Sequence, residues 1–157
     1  MSTRGQQAVA YAAGELAHSG GRIAVDGDAQ VSRWVGSNKT VNTAAGTIVG
    51  IAGSSGWQWK LREGMTAIIE GRVAGRATDG ETAVWTFATV QTRAVGATTP
   101  AKLGTDTITK VGGTAGTSGW AIQIVPIADS TFGLRVVGDA TRTVHWVANV
   151  TATTVIA

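Results

Sequence analysis

The stretch MTAIIEGRVAGRATDGETAVWTFATVQTRAV, residues 65–95, alternates between two sets of side chains on either side of the turn signal TDGE. Before the turn, one face collects Ala67, Ile69, Gly71 and Val73, and the opposite face collects Ile68, Glu70, Arg72, Ala74 and Arg76. After the turn, one face collects Trp85, Phe87, Thr89 and Gln91, and the opposite face collects Val84, Thr86, Ala88 and Val90. A period of two residues is typical of β-strands, so the stretch predicts two strands joined by a turn.

The same period recurs along the chain. It is present in WQWKL, WAIQIVPI, FGLRVVG and TVHWVANV, which begin at residues 57, 120, 132 and 143. Short segments rich in Gly, Asp and Ser separate these runs, and the chain of 157 residues holds 22 glycines but only 15% charged residues. Strands at such intervals predict an all-β protein, an antiparallel β-sandwich or jelly-roll-like barrel of eight to ten strands. Residues 21–157 are expected to form this single domain.

Residues 1–20 differ from the rest of the chain and are expected to form an extended N-terminal arm. The segment QQAVAYAAGELAHSGG is rich in alanine, and it fits a short helix with Ala8, Tyr11, Ala12 and Leu16 on one side. Alternatively, Ala and Gly recurring every seven residues indicate tight turns of a β-roll. In both cases the arm has too little apolar bulk to fold alone, so we expect it to dock on other chains through Tyr11 and Leu16.

Charge and cysteine content exclude several classes of function. The 13 Lys and Arg exceed the 10 Asp and Glu by three and are scattered, which favours solvated strand faces over a nucleic-acid surface. The chain has no cysteine, so it holds neither a disulfide nor a thiolate metal site. Neither a secretory leader nor a run of about 20 apolar residues is visible. We expect synthesis in the cytoplasm and no membrane contact.

Candidate catalytic groups are few. His145 lies near Asp139 and Arg142 in GDATRTVHWVANV, but the alternation places His145 opposite Trp146, toward solvent or a neighbouring subunit, and no G-x-S-x-G motif accompanies it. The other histidine, His18, lies in the arm. The motifs for a phosphate cradle and a redox cofactor are missing, and no pair of carboxylates converges. The sequence therefore predicts a protein that is not an enzyme and has no cofactor.

One short motif resembles the beginning of a calcium site. Asp26 and Asp28 in DGDA have the opening spacing of a calcium loop, but the carboxylates that complete an EF-hand do not follow. A turn whose Asp side chains accept hydrogen bonds from the backbone explains the motif as well. We therefore predict no metal site.

The tryptophans are the best candidates for a ligand surface. Trp57 and Trp59 share a strand face beside Lys60 and Arg62, where two indoles would make a platform for sugar rings. The alternative is that both indoles fill the core or a subunit interface, since large aromatics fill space between strands rich in Ala and Gly. The same two interpretations apply to the other tryptophans, Trp34, Trp85, Trp120 and Trp146, and Arg33 beside Trp34 joins the candidate surface.

Two motifs resemble a module of tailed-bacteriophage structural proteins, found in tail fibres and spikes. One is GDAQVSRWV, residues 27–35, and the other is GWAIQIVPIADSTFGLRVVGDATRTVHWVANV, residues 119–150. The segment ATTPAKLGTDTITKVGGTAGTSG between them also resembles the loop that precedes the Trp-led strand of the module. The resemblance covers roughly residues 21–157. It implies a β-rich, trimeric virion component without catalytic residues.

The sequence therefore leads to two functional hypotheses. The first is a homotrimeric structural component of the virion exterior, a capsid decoration or head-fibre protein or a short tail component, which contacts the major capsid or other virion proteins through its arm. The second is a receptor- or carbohydrate-binding module of a tail fibre or spike, with a host surface glycan as its ligand.

Overall fold

The computed structural model describes residues 2–4, 16–19, 29–41, 45–47, 59–127 and 131–156. The strands found in these ranges are β1 (Ser2–Arg4), β2 (Leu16–His18), β3 (Ala29–Val41), β4 (Ala45–Thr47), β5 (Trp59–Lys60), β6 (Met65–Ala77), β7 (Thr82–Thr92), β8 (Ala101–Lys102), β9 (Thr107–Gly113), β10 (Ala121–Ile127), β11 (Thr131–Val137) and β12 (Thr143–Ile156). The expected count of eight to ten strands was therefore too low, because two- and three-residue strands leave no periodic signal. The helical content of these ranges is one 3-10 turn, Ala115–Thr117.

The larger sheet has the strand order β1-β2-β3-β12-β6-β7-β8, and β9 also pairs with β7. Its four long central strands, β3, β12, β6 and β7, are antiparallel neighbours, whereas β1 and β2 are parallel. In the smaller sheet, β10, β11 and β4 follow one another and β5 also pairs with β11. The predicted all-β architecture of antiparallel sheets is confirmed.

The turn TDGE joins β6 and β7 as the sequence predicts. Gly80 adopts a φ of 95°, which glycine reaches without steric cost, and its N–H donates to the Ala77 carbonyl over 3.0 Å. The Asp79 carboxylate accepts from the Glu81 N–H over 3.3 Å. This turn sets the register that pairs Arg76 with Thr82 and puts the alternating residues of both strands on matching faces.

The core lies between the two sheets. In β6 and β7 the buried positions alternate with exposed or half-buried ones, as the sequence predicts. A single hydrophobic cluster joins residues from both sheets. It contains Trp34, Ile69, Val73, Trp85, Phe87, Trp146, Ile122, Ile124, Leu134 and Val136, together with Trp120 immediately before β10. Burial of these side chains is the main stabilising contribution to the fold.

The described part of the N-terminal arm belongs to the larger sheet. Leu16–His18 pairs with Val31–Arg33 of the same chain, Ala17 is buried, and the Ser19 hydroxyl donates to the Ala29 carbonyl over 2.9 Å. The helical interpretation is therefore wrong for Leu16–His18. Tyr11 lies outside the described residues.

Candidate interaction surface

The outer face of the larger sheet is the face that points away from the smaller sheet. Alternation along β2, β3, β12 and β6 places seven large aliphatic side chains on it, each 38–56% exposed: Leu16, Val31, Val35, Val41, Ile68, Val147 and Val155. Singly exposed apolar residues are normal, but seven of them on one face of a sheet indicate an interaction site. This face is therefore the first candidate surface of the molecule.

The strand register arranges these side chains in rows across the sheet. One row runs through Ser37, Val147, Ala74 and Val84. Another row, six residues away along each strand, runs through Val31, Thr153, Ile68 and Val90. Directly opposed side chains on neighbouring strands are close enough to touch. Val147 lies in the first row and Val31 and Ile68 lie in the second, so each row is an apolar band that contains one polar side chain, Ser37 or Thr153.

Charged side chains lie in the rows beside the apolar bands, together with the aliphatic side chains of Val35 and Leu16. Lys39, His145 and Arg76 form one row, and Arg33, Glu70 and Arg72 lie in the two rows between the bands. Four cationic groups and one carboxylate give this face a formal excess of three positive charges. The whole chain also has a net charge of +3, so its other charges balance.

Most of these charges lack ion-pair partners on the protein. Within the ranges that the structure describes, Lys39, Arg72, Arg76 and Glu70 form no salt bridge, and the Arg33 Nε donates to the Asn149 Oδ1 over 3.1 Å. Unpaired cations on a folded surface keep their full attraction for an external anion. The face is thus both apolar and electropositive.

A shallow groove of about 410 Å³ opens between the apolar bands. Its lining is Arg33, Glu70, Gly71, Arg72, Thr86, Phe87, Asn149 and Thr151. The groove offers guanidinium, amide, hydroxyl and carboxylate groups together, which suits recognition of a polar group that has negative charge. Arg33 is the predicted site residue that the structure brings into it.

The described tryptophans lie in the core. Trp34 is 2% exposed, and Trp85, Trp120 and Trp146 are also buried. The Trp85 and Trp146 ring centroids are 5.8 Å apart, those of Trp120 and Trp146 are 5.5 Å apart, and both pairs are tilted. Such tilted contacts add to the apolar burial. For these four residues the core interpretation is correct, and no indole face of theirs is open to a ligand.

The predicted tryptophan platform lies mostly outside the described structure. Trp57 is not among the described residues, and of Trp59 only the backbone is described, paired with Phe132 in β11. Arg62 is exposed in the connection that follows β5. Whether two indoles share an open face beside Arg62 stays a prediction.

The suspected constellation of His145 with Asp139 does not assemble as a reactive pair. His145 is exposed on the outer face, whereas the Asp139 carboxylate accepts from the backbone N–H and hydroxyl of Thr141, over 2.8 and 2.7 Å. The Arg142 Nε lies 3.2 Å from Asp79 and 3.8 Å from Asp139. Arg142 therefore links two turns, a role that strand alternation does not predict.

The other described carboxylates at the loops also have local partners. Glu63 pairs with Arg93 over 3.1 Å, Asp106 with Lys102, and Glu81 accepts from the Thr114 hydroxyl. Among the described residues, His, Asp and Glu form no group of three that would hold a metal ion. Asp26 and Asp28 lie outside the described residues, as does the glycine-rich segment at 50–56.

The loop cluster around Asp139 predicts a pH dependence of stability. The hydrogen bond from the Thr141 backbone, with help from the Thr141 hydroxyl and Arg142, lowers the pKa of Asp139 below its ordinary value of 3.8. Because the folded pKa is depressed, the stabilisation is complete above pH 3.8 and is lost as the pH falls through the folded pKa. Asp139→Asn should therefore lower the melting temperature at pH 7 and have a smaller effect at pH 2.5. An equal effect at both pH values would contradict this.

Comparison of the chain with protein-family models finds no match, and comparison with curated proteins finds none either. In the described ranges, no helix is long and apolar enough to cross a membrane. The resemblance to phage structural modules therefore rests on its motifs alone.

Sequence reasoning missed the outer face as a surface. Its signal was present in the same alternation, since Val31, Arg33 and Val35 flank the buried Trp34 and must face away from the core. Arg72 and Arg76 follow in the same way from β6. Alternation does not reveal the order of the strands in the sheet, and it is this order that brings the exposed residues of β3 and β6 onto one surface.

Proposed function

We propose that the chain is a non-enzymatic structural component of the exterior of a tailed-phage virion, built as a homotrimer and acting as a capsid decoration, head-fibre or short tail protein. The observation that carries the proposal is the outer face with its seven exposed aliphatic side chains. A domain that works alone rarely presents such a face, whereas a protein that assembles with others needs one. The proposed location in a virion and the proposed trimer rest on the resemblance of the two motifs to phage structural proteins.

The strand β9 supports self-association. All seven residues of Thr107–Gly113 are exposed, with Ile108 40% and Val111 63% exposed. The strand pairs with β7. The Lys110 Nζ donates to the Thr117 carbonyl over 2.6 Å, so this lysine does not place its charge along the strand edge, where it would oppose pairing with another chain. An uncovered strand edge with apolar side chains is a template for another chain. We therefore propose that copies of the chain contact one another at β9.

The mass in solution tests the homotrimer. The wild-type chain should have three times its own mass of 16.0 kDa in light scattering after size exclusion. Val111→Lys should shift the population toward the single chain, because a charge at a strand edge opposes pairing with another chain. Val95→Lys, at a loop position that is 78% exposed, is the matched control and should leave the trimer intact. A wild-type protein with the mass of one chain would overturn the homotrimer.

A receptor- or carbohydrate-binding module is the second candidate, and the polar groove of about 410 Å³ favours it. If the groove is the ligand site, Arg33→Ala should weaken binding to glycans or host cells. If the predicted tryptophan platform is the site, Trp57→Ala or Trp59→Ala should abolish that binding, and in both cases the trimer should keep its melting temperature. Glycan-array binding and thermal melting measured on the same preparations separate the two candidates. A lower melting temperature without loss of a binding signal would favour the structural role.

A further inference from the structure

We propose that the outer face of the larger sheet docks on an acidic protein surface of the virion, with Arg72 and Arg76 as the cations that steer and hold it. This inference rests on the proposed function and adds the surface and the chemistry of the partner. The two arginines lie four positions apart on β6, exposed on the same face and without an ion pair in the described structure.

The size of the face fits a specific protein interface. Four strands spaced about 4.8 Å apart, with about 12 residues each at about 3.3 Å, span roughly 19 by 40 Å, or roughly 750 Å². A stable protein–protein contact covers about 800 Å² on each partner. The long central strands thus offer about as much area as one partner needs.

The charge of the face argues against a second copy of the chain as the occupant. Packing two such faces together would oppose four cations to four cations, with only Glu70 on each side to offset them. Like charges brought together in a dry contact are strongly unfavourable, whereas an acidic partner would compensate each of them. Self-association is therefore assigned to the β9 edge.

The side chains between the cations argue for a protein partner. Sugar rings pack best on exposed Trp, Tyr or Phe rings, and none of the described exposed residues on this face is one of these three. Nucleic acid is bound by clustered Lys and Arg that follow the phosphates, but here the apolar row of Val147 and Ala74 separates Arg76 from Arg72. Aliphatic bands and flanking cations match a partner with apolar positions framed by Asp and Glu.

Binding to virion shells tests the inference. Mass spectrometry of purified particles first establishes whether the chain is present, and its absence would overturn the proposed function and this inference with it. Shells that lack the protein, assembled without its gene, are then the probe for co-sedimentation at about 50 and 300 mM NaCl. The wild-type trimer should bind, and more weakly at the higher salt, because ions screen the charges.

Two variants decide the result. Arg72→Glu with Arg76→Glu should weaken shell binding at least about tenfold without a change in melting temperature, because both side chains are exposed. Arg135→Glu, at an exposed position of β11 in the smaller sheet, is the matched control and should bind like the wild type. Equal binding by the double variant, or equal loss in both variants, would overturn the inference while the chain remains a virion protein.

Competing occupants are tested with the same variants. Retention on polysialic acid or on duplex DNA that disappears in the double variant, with shell binding unchanged, would replace the protein partner by that polyanion. A change of solution mass in the double variant would identify the face as a contact between copies.

Discussion

Trp146→Ala is expected to lower the free energy of unfolding by about 3–5 kcal/mol, the range for removing a large aromatic from a packed core. Trp146 is 1% exposed and contacts both Trp85 and Trp120. Its indole N–H donates to the Thr40 hydroxyl over 3.0 Å, so truncation leaves a buried polar group without its donor. Chemical denaturation followed by circular dichroism measures the loss without relying on tryptophan fluorescence.

Two further variants make this result interpretable. Trp146→Phe keeps one ring and should cost less than the alanine, so it stays measurable if the alanine variant fails to fold. His145→Ala, one position earlier and exposed on the opposite face, should change stability by less than about 0.5 kcal/mol. If the histidine and tryptophan variants lost similar free energy, the assignment of core and outer face along β12 would be wrong.

Gly75→Ala is expected to cost about 1–3 kcal/mol, because the added methyl group overfills a packed site. A Cβ at this position would lie 2.5, 2.7 and 3.0 Å from three atoms of the Trp146 ring. Gly119→Ala, in the turn before Trp120 and outside β9, places its Cβ where no atom lies within 4 Å and serves as the matched control. Equilibrium unfolding of both variants gives the comparison, and equal stability changes would contradict it.

A double-mutant cycle shows whether the cost arises at the tryptophan ring. In the Trp146→Phe background the outer ring atoms are gone, so Gly75→Ala should cost less than it does in the wild type. When two substituted residues are in contact, the change in unfolding free energy of the double variant differs from the sum of the two single changes by about 0.5–3 kcal/mol. Strict additivity would place the strain elsewhere on β6.

The faces of the long strands could be predicted from the sequence because alternation is a local property. Ile69 and Val73 lie in the core, and Glu70, Arg72 and His145 lie outside, as the period of two requires. The partner of each strand is not local. β12 pairs with β3 and β6, whose residues are far away in the chain, and no short motif encodes that choice.

The loop contacts were beyond prediction for a similar reason. Arg142 contacts Asp79 and the Gly116 carbonyl, and these three residues lie in three different connections between strands. The contacts therefore depend on how the strands are arranged in space. For the candidate surface, one residue could be predicted from the sequence and others could not. The sequence predicted Arg33 as a site residue, whereas its neighbours Arg72 and Asn149 in the groove required the strand order.

The central place of β12 has a consequence for how the protein is made. This strand follows all the other described strands in the chain, yet it is the one that joins β3 to β6; Val155 pairs with Ala29, a sequence separation of 126 residues (155 minus 29). Contacts of such long range make folding slow, because a long loop must close before they form. During translation, β3 and β6 therefore expose unpaired edges until residues 143–156 have left the ribosome, and a nascent chain stopped before that point is prone to aggregate.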